Sequence, residues 1–291
     1  MTQLFGTNGI RGIVNKDMNS TLALGIGKAW GTYLKHRIPQ PTCAIGTDTR
    51  LSNYMLKSAI TAGFLSTGCN IVDIGVVPTP TLQYTVKEKK FDAGIIITAS
   101  HNPPQFNGIK GTANDGIELS KDVEEKIENI YFSQHYHYSD WNNVGNYSSW
   151  HGAVNLYIKG ILSRIDTDCI KKQHFHIVLD CGNGAGSLVV PLLLKKIGCQ
   201  VTKLHCKPNG TFPGRYPEPI PENLKHLMKK VSDVDALCGV GLDGDADRAI
   251  FIDENGSYIW GDKSLSLVGK YITRENKGGV ICYTCYNLDL F

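Results

Sequence analysis

The sequence predicts an α/β protein: two complete domains with mixed or parallel sheets, followed by the start of a third. Three observations carry this. Short apolar runs such as Ala93-Gly94-Ile95-Ile96-Ile97 show no wet face, as in strands buried on both sides. Such runs alternate with segments of helix length, a βα pattern that repeats along the chain. The chain has 291 residues, enough for about two domains of ~100–200 residues each.

In order, a glycine-rich opening (Gly6 to Gly12) precedes a helix from about Ser20, an N-cap candidate, to Lys35. Thr42 to Thr47 is expected to be a strand, Asn53 to Thr67 a helix and Asn70 to Val76 a strand. Pro78 and Pro80 start a helix reaching about Lys89. The strand Ala93–Ile97, a proline loop and a polar helix near Lys121–Phe132 complete a first domain over 1–140. The segment 133–151 is rich in Ser, Asn, Tyr and His with little periodicity, and is expected to be a linker.

A second domain is expected over 150–258. It comprises a strand His176–Asp180, a tight turn Gly182-Asn183-Gly184-Ala185-Gly186 and a helix Ser187–Ile197. A strand Gln200–His205, a helix Pro221–Val231 and a strand Ala236–Leu242 follow. A hairpin then turns at Asn255-Gly256. Residues 259–291 are expected to be an incomplete third domain of one helix and one short strand, too little to bury a core.

Net charge is only +3, which argues against nucleic acid or an anionic membrane as partner. No apolar run approaches the ~18 residues of a transmembrane helix, and no export signal is visible at Met1-Thr2-Gln3-Leu4-Phe5. The nine cysteines have no disulfide-framework spacing, and Cys282-Tyr283-Thr284-Cys285 is half of a zinc pattern without its other half. Reduced cysteines in a cytoplasmic protein are expected.

The chemistry centres on two loops. Thr98-Ala99-Ser100-His101-Asn102-Pro103-Pro104 follows a core strand, and open α/β sheets bind ligands at that end. Taken alone, a Ser-His pair in a proline turn is ordinary turn chemistry. In an extended loop their side chains would diverge, which argues against a hydrolase pair. The second loop, Asp243-Gly244-Asp245-Ala246-Asp247-Arg248, changes the balance. Its three carboxylates alternate, about 6.6 Å apart per step if extended, and such crowded like charges argue for a bound cation. All-oxygen ligation favours Mg²⁺ or Ca²⁺. An EF-hand loop fails because Arg248 stands where its sixth-position glycine is required. An aspartyl-nucleophile motif of Asp-x-Asp-x-Thr form fails at Asp247. Gly182-x-Gly184-x-x-Ser187 lacks the third glycine of a dinucleotide fingerprint, so tight strand–helix packing is the better reading.

Together with Gly6-Thr7-Asn8-Gly9-Ile10-Arg11-Gly12 and Asn107-Gly108-Ile109-Lys110, these motifs occur in the order seen in the α-D-phosphohexomutases. The chain resembles that family from residue 1 to about 281. Its opening is most similar to the phosphoglucosamine mutase branch, archaeal members above all. One departure is Asn8, where many members carry Asp.

The resemblance implies a phosphohexomutase-type fold with four domains around a cleft. It also implies a mutase interconverting hexosamine or hexose 6-phosphate and 1-phosphate, by way of a phosphoserine and a hexose 1,6-bisphosphate. Ser100 would carry the phosphoryl group, and Asp243, Asp245 and Asp247 would hold Mg²⁺ with it. Arg11, Asn102 and Arg248 would grip phosphate, while His101 and Lys110 would relay protons, the lysine through a lowered pKa. The partner would be a small phosphosugar; the resemblance leaves the oligomeric state open.

The family's Gly-Glu-x-Ser-Gly-His sugar-recognition loop and Ser-Gly-Thr phosphate-binding loop do not occur here. The expectation is therefore a C-terminally truncated chain: an incomplete third domain, no fourth, and a sugar identity left open among glucosamine, glucose and mannose. A truncated, non-catalytic phosphosugar-binding remnant is the alternative.

Overall fold

The computed structural model describes residues 4–6 and 9–275. Its first sheet is built from β1 (Ile10–Ile13), β2 (Thr42–Thr47), β3 (Asn70–Val76), β4 (Ala93–Ile97), β5 (Phe106–Ala113) and β6 (Tyr147–Ser149), in the spatial order β1-β5-β4-β2-β3-β6. Strands β4, β2, β3 and β6 run parallel, while β5 is antiparallel to both β4 and β1. Helices α1 (Ser20–Lys35), α2 (Asn53–Ser66) and α4 (Lys121–Ser133) cover one face, and α3 (Thr79–Lys89) and α5 (Ala153–Leu162) the other. The absence of alternation in β4 is thereby explained. Ile95 and Ile97 join the core with Trp30, Phe64 and Ile45, whereas Ile96 packs on the opposite face with Leu82 and Val86.

The second sheet has the order β11-β10-β9-β7-β8, with β7 (His176–Asp180) parallel to β8 (Gln200–Leu204) and β9 (Cys238–Leu242). The strands β10 (Ala249–Ile252) and β11 (Tyr258–Ile259) add the expected hairpin. Helices α6 (Thr167–Lys172), α7 (Val190–Lys196) and α8 (Lys225–Asp233) accompany it. Leu224, Leu227 and Val231 pack on Val178 and Ile252.

Several local expectations shift. Asn19 caps α1, its side chain accepting from Leu22 N at 2.9 Å, so the cap falls one residue before Ser20. The helix expected from Ser187 begins as a 3₁₀ turn at Ala185–Leu188, and α7 starts only at Val190, before Pro191. The segment expected to be a linker is a strap on the first sheet. Ser139 N and Gly145 N bond to Ser66 and Leu65 carbonyls, and β6 pairs with β3. Beyond it α5 packs on α3, with the rings of Tyr84 and Tyr157 5.7 Å apart.

Helix α9 (Gly261–Glu275) closes the described chain, with Leu265, Leu267, Val268, Tyr271 and Ile272 exposed. The short strand expected after it, and Cys282 to Cys285, lie outside the described residues. Among the described residues, all seven cysteines are free, and no helix is long and apolar enough to cross a membrane.

Candidate active site

Ser100 sits just past β4 and is fully buried. Its backbone φ is +49°, a left-handed conformation that non-glycine residues enter at a cost and that marks functional loops. Ser100 N donates to Thr98 Oγ1 at 2.9 Å, and Thr98 Oγ1 donates to the buried Asp48 carboxylate at 2.7 Å. The left-handed turn also brings His101 Nδ1 to 3.3 Å from Ser100 Oγ. The two side chains therefore converge, contrary to the extended-loop expectation.

The acidic loop of the second sheet reaches this serine. Ser100 Oγ donates to Asp243 Oδ2 at 2.8 Å across 143 residues. Close approach is possible because residue 244 has no side chain: a Cβ there would lie 2.5 Å from Ser100 O. The turn at Gly182–Gly186 is the bed on which the loop rests. Ala185 N donates to Gly244 O at 2.9 Å, and a Cβ at Gly184 would lie 2.4 Å from that carbonyl. Gly184 thus packs tightly, but against the acidic loop rather than between a strand and a helix as expected.

Asp243, Asp245 and Asp247 each offer a carboxylate oxygen within 4.8 Å of the others. Asp243 and Asp245 are buried. Burial, and then repulsion from Asp245 and Asp247, push the Asp243 carboxyl well above the usual range. Asp245 Oδ2 accepts from Thr79 Oγ1 at 2.5 Å, while its Oδ1 is buried with no hydrogen-bond partner among the described residues. Crowded acid groups with an orphaned oxygen suit a hard cation.

Lys110, on β5, is buried with its ammonium 2.9 Å from Asp247 Oδ2 and 3.5 Å from Asp245 Oδ2. Burial works to lower its pKa, but the two carboxylates outweigh it and hold the amine above the ordinary lysine value. The lowered pKa expected for a relay lysine is thus not the direction these two carboxylates favour. His101 shifts the other way. Burial, with Arg248 and Arg11 nearby, lowers it, so it favours the neutral imidazole.

Arg11, on β1, donates to Asn102 Oδ1 at 3.1 Å, and its Nε is buried with no hydrogen-bond partner among the described residues. Arg11, His101, Asn102 and Arg248 line a cavity of about 520 Å³ beside Ser100. The Arg248 side chain is half exposed at its rim and lies 4.0 Å from Asp247. The structure thus brings all nine sequence-predicted site residues into one cluster. Sequence reasoning missed Thr79, which also donates its backbone N–H to Asp245 O at 3.0 Å. The only hint was the Pro78-Thr79-Pro80 helix start.

Residues 2–137 match the family model for phosphoglucomutase/phosphomannomutase α/β/α domain I, and residues 155–256 that for domain II. The chain belongs to the phosphoglucomutase/phosphomannomutase family. It is 46% identical over all its 291 residues to a phosphoglucomutase/phosphomannomutase of Thermococcus kodakarensis, covering 64% of that protein. It is 42% identical over 281 residues to a probable phosphoglucosamine mutase of Methanopyrus kandleri, covering 97% of this chain and 60% of that one. A family structure from Burkholderia thailandensis superposes with a TM-score of 0.85 at 27% identity, over 95% of this chain and 60% of that chain. The chain therefore spans about three fifths of the length of these relatives.

Proposed function

We propose that this chain carries the phosphoryl-transfer centre of a hexose-phosphate mutase, with Ser100 as the group that gives and takes the phosphoryl. The observation that carries this is the buried 2.8 Å bond between Ser100 Oγ and Asp243, in a junction holding three carboxylates, two of them buried, and two arginines. An anion-binding cavity on one side of the serine and an acid cluster on the other suit a transferred phosphate held next to a cation.

In this reading a sugar hydroxyl attacks the phosphorus of phosphorylated Ser100. The new O–P bond forms as the P–Oγ bond breaks, leaving a hexose 1,6-bisphosphate and free Ser100. The bisphosphate turns round, and its other phosphoryl returns to Ser100 Oγ. Arg11, Asn102 and Arg248 hold phosphate oxygens. His101, close to Ser100 Oγ and inclined to be neutral, takes and returns the hydroxyl proton, while Lys110 stays cationic and steadies Asp245 and Asp247. Asp243, Asp245 and Asp247 would hold Mg²⁺, which when bound neutralises charge on the phosphoryl oxygens.

The sugar we favour is glucosamine phosphate. The motifs at the N-terminus and the name of the Methanopyrus kandleri relative support it. The Thermococcus kodakarensis relative's name keeps glucose and mannose phosphates as the alternative.

Incubation with glucose 1,6-bisphosphate and Mg²⁺ should raise the intact mass by one phosphoryl group in wild type and not in Ser100→Ala. A folded wild type that gains no mass, or an equal gain in the variant, overturns the assignment and leaves a phosphosugar-binding protein.

A further inference from the structure

The loop that presents Ser100 is short, carries two prolines and belongs to no strand or helix over 98–105. Its carbonyls need donors from elsewhere, because a buried carbonyl without one is costly. One side chain supplies several of them. Arg50, just past β2, is 2% exposed. Its Nη1 donates to Pro103 O at 2.7 Å and Phe106 O at 2.9 Å, and its Nη2 to Asn102 O at 2.6 Å and Ser100 O at 3.0 Å. Its Nε donates to Asp48 Oδ2 at 3.0 Å. All five guanidinium N–H donors are thus in use, in the fixed fork that only arginine offers.

Asp48 closes the circuit. It is fully buried and also accepts from Thr98 Oγ1, Arg50 N and Asn53 Nδ2. Thr98 Oγ1 in turn receives Ser100 N. The serine is therefore held on both sides of its Cα, its N–H through Thr98 and Asp48, its carbonyl through Arg50. Asn102, the residue that receives Arg11, hangs from the same guanidinium.

We propose that Arg50, with Asp48 and Thr98, is the positioning cluster for the phosphoryl-accepting serine. It keeps Ser100 in its left-handed conformation, with Oγ turned to Asp243 and the loop carbonyls turned away from the cavity. This rests on the reading of Ser100 as the phosphoryl carrier. Arg50 bonds neither Ser100 Oγ nor any side chain of the acidic loop, so its effect runs through the loop backbone. A lysine keeps the charge but reaches one point with three donors, too few for four carbonyls and a carboxylate.

Arg50→Lys and Thr98→Val test this in the full chain. The rate of Ser100 phosphorylation by glucose 1,6-bisphosphate should fall at saturation by about 10²-fold in Arg50→Lys, the scale of a misplacement near 1 Å. It should fall about tenfold in Thr98→Val, which removes the charge-assisted bond to Asp48 and the acceptor of Ser100 N. The half-saturating bisphosphate concentration should move by less than about twofold. A role confined to stability would lower the melting temperature and leave the saturated rate of the folded protein unchanged. That result, or a loss wholly in half-saturation, overturns the proposal.

Amide exchange separates this from the function itself. Exchange across 99–106 should rise about tenfold in Thr98→Val while β4 stays protected, whether or not the wild type takes up phosphate. Unchanged exchange there overturns the positioning role. A wild type without phosphorylation but with this exchange pattern overturns only the function. If Arg50→Lys does not fold, Thr98→Val decides both measurements.

Discussion

Lys110 illustrates how one buried side chain sets the charge of the whole centre. Its ammonium stands between Asp245 and Asp247, where at an effective dielectric near 20 a unit charge about 4 Å away is worth on the order of 4 kcal/mol before screening. A divalent cation must share those carboxylates with it. Lys110→Met should therefore tighten Mg²⁺ binding to the unphosphorylated protein by at least about tenfold, read by calorimetric titration. Weaker binding in the variant would mean the lysine shapes the loop rather than competing for it. Another buried carboxylate, Asp180, ends β7 of the second sheet. Arg215 Nε forms an ion pair with it at 3.0 Å and His205 Nδ1 hydrogen-bonds it at 3.1 Å, with His226 and Cys206 beside the histidine. Its hydrogen bond raises the His205 pKa, while His205 and Arg215 outweigh burial and lower that of Asp180. The histidine's contribution to stability is thus full below its ordinary pKa of about 6.5 and is lost as pH rises through the raised value. The aspartate's contribution is lost only as pH falls through its lowered one. The melting temperature of wild type should exceed that of His205→Gln most just below pH ~6.5 and converge with it in alkali. A gap independent of pH between about 5.5 and 9 would exclude the pairing.

At the level of elements, stability is concentrated where α1 and α2 meet the first sheet. Trp30 is 1% exposed and packs on Phe64 with ring centroids 5.6 Å apart. Trp30→Ala should cost about 3–5 kcal/mol, measured by urea unfolding; a loss below about 1 kcal/mol would mean the site collapses around the gap. Most helices and the longer parallel strands were legible because their signals are local, while α5, α6 and the short parallel strand β6 were not. Unalternated apolar runs such as Ile95 to Ile97 end in polar turns, and prolines stand at helix starts. The antiparallel strands of the first sheet, β1 and β5, were not. In β5, Phe106-Asn107-Gly108-Ile109-Lys110-Gly111-Thr112-Ala113 has polar residues and two glycines where a strand pattern calls for apolar ones. Asn107 and Lys110 are buried because they are bonded, to Ser52 and Asn53 and to the acidic loop, not because they are apolar. Strand β1 is only four residues and gains its partner β5 from about a hundred residues away. The polar strap at 134–146 binds through backbone groups, which no side-chain pattern announces. Of the candidate site, the residues that the structure gathers around Ser100 were readable from their motifs. Arg50 and Thr79 were not, since they act on backbone or on another residue's carboxylate and carry no pattern of their own.

For the molecule as a whole, the centre exists only where the two sheets meet. Ser100, Thr79 and Lys110 come from the first, Asp243, Asp245 and Asp247 from the second. Thr49 Oγ1 donates to Asn183 O at 3.1 Å, and the Arg50 guanidinium lies 5.1 Å from the Phe212 ring, so the contact extends beyond the centre. The three crowded carboxylates oppose this junction, and a cation among them relieves the repulsion. A cation that binds only the assembled junction must stabilise it by mass action, about 2.7 kcal/mol at a hundred times its Kd. For units of this size, that is a rise in melting temperature of about 5–10 °C over a chelator-treated sample. Asp245→Asn removes one ligand while keeping the shape, so its melting temperature should no longer respond to Mg²⁺. Calorimetric scans with potassium chloride at matched ionic strength separate specific binding from screening. A Mg²⁺ shift equal in variant and wild type, or absent from both, would show that the acidic loop joins the sheets without an ion.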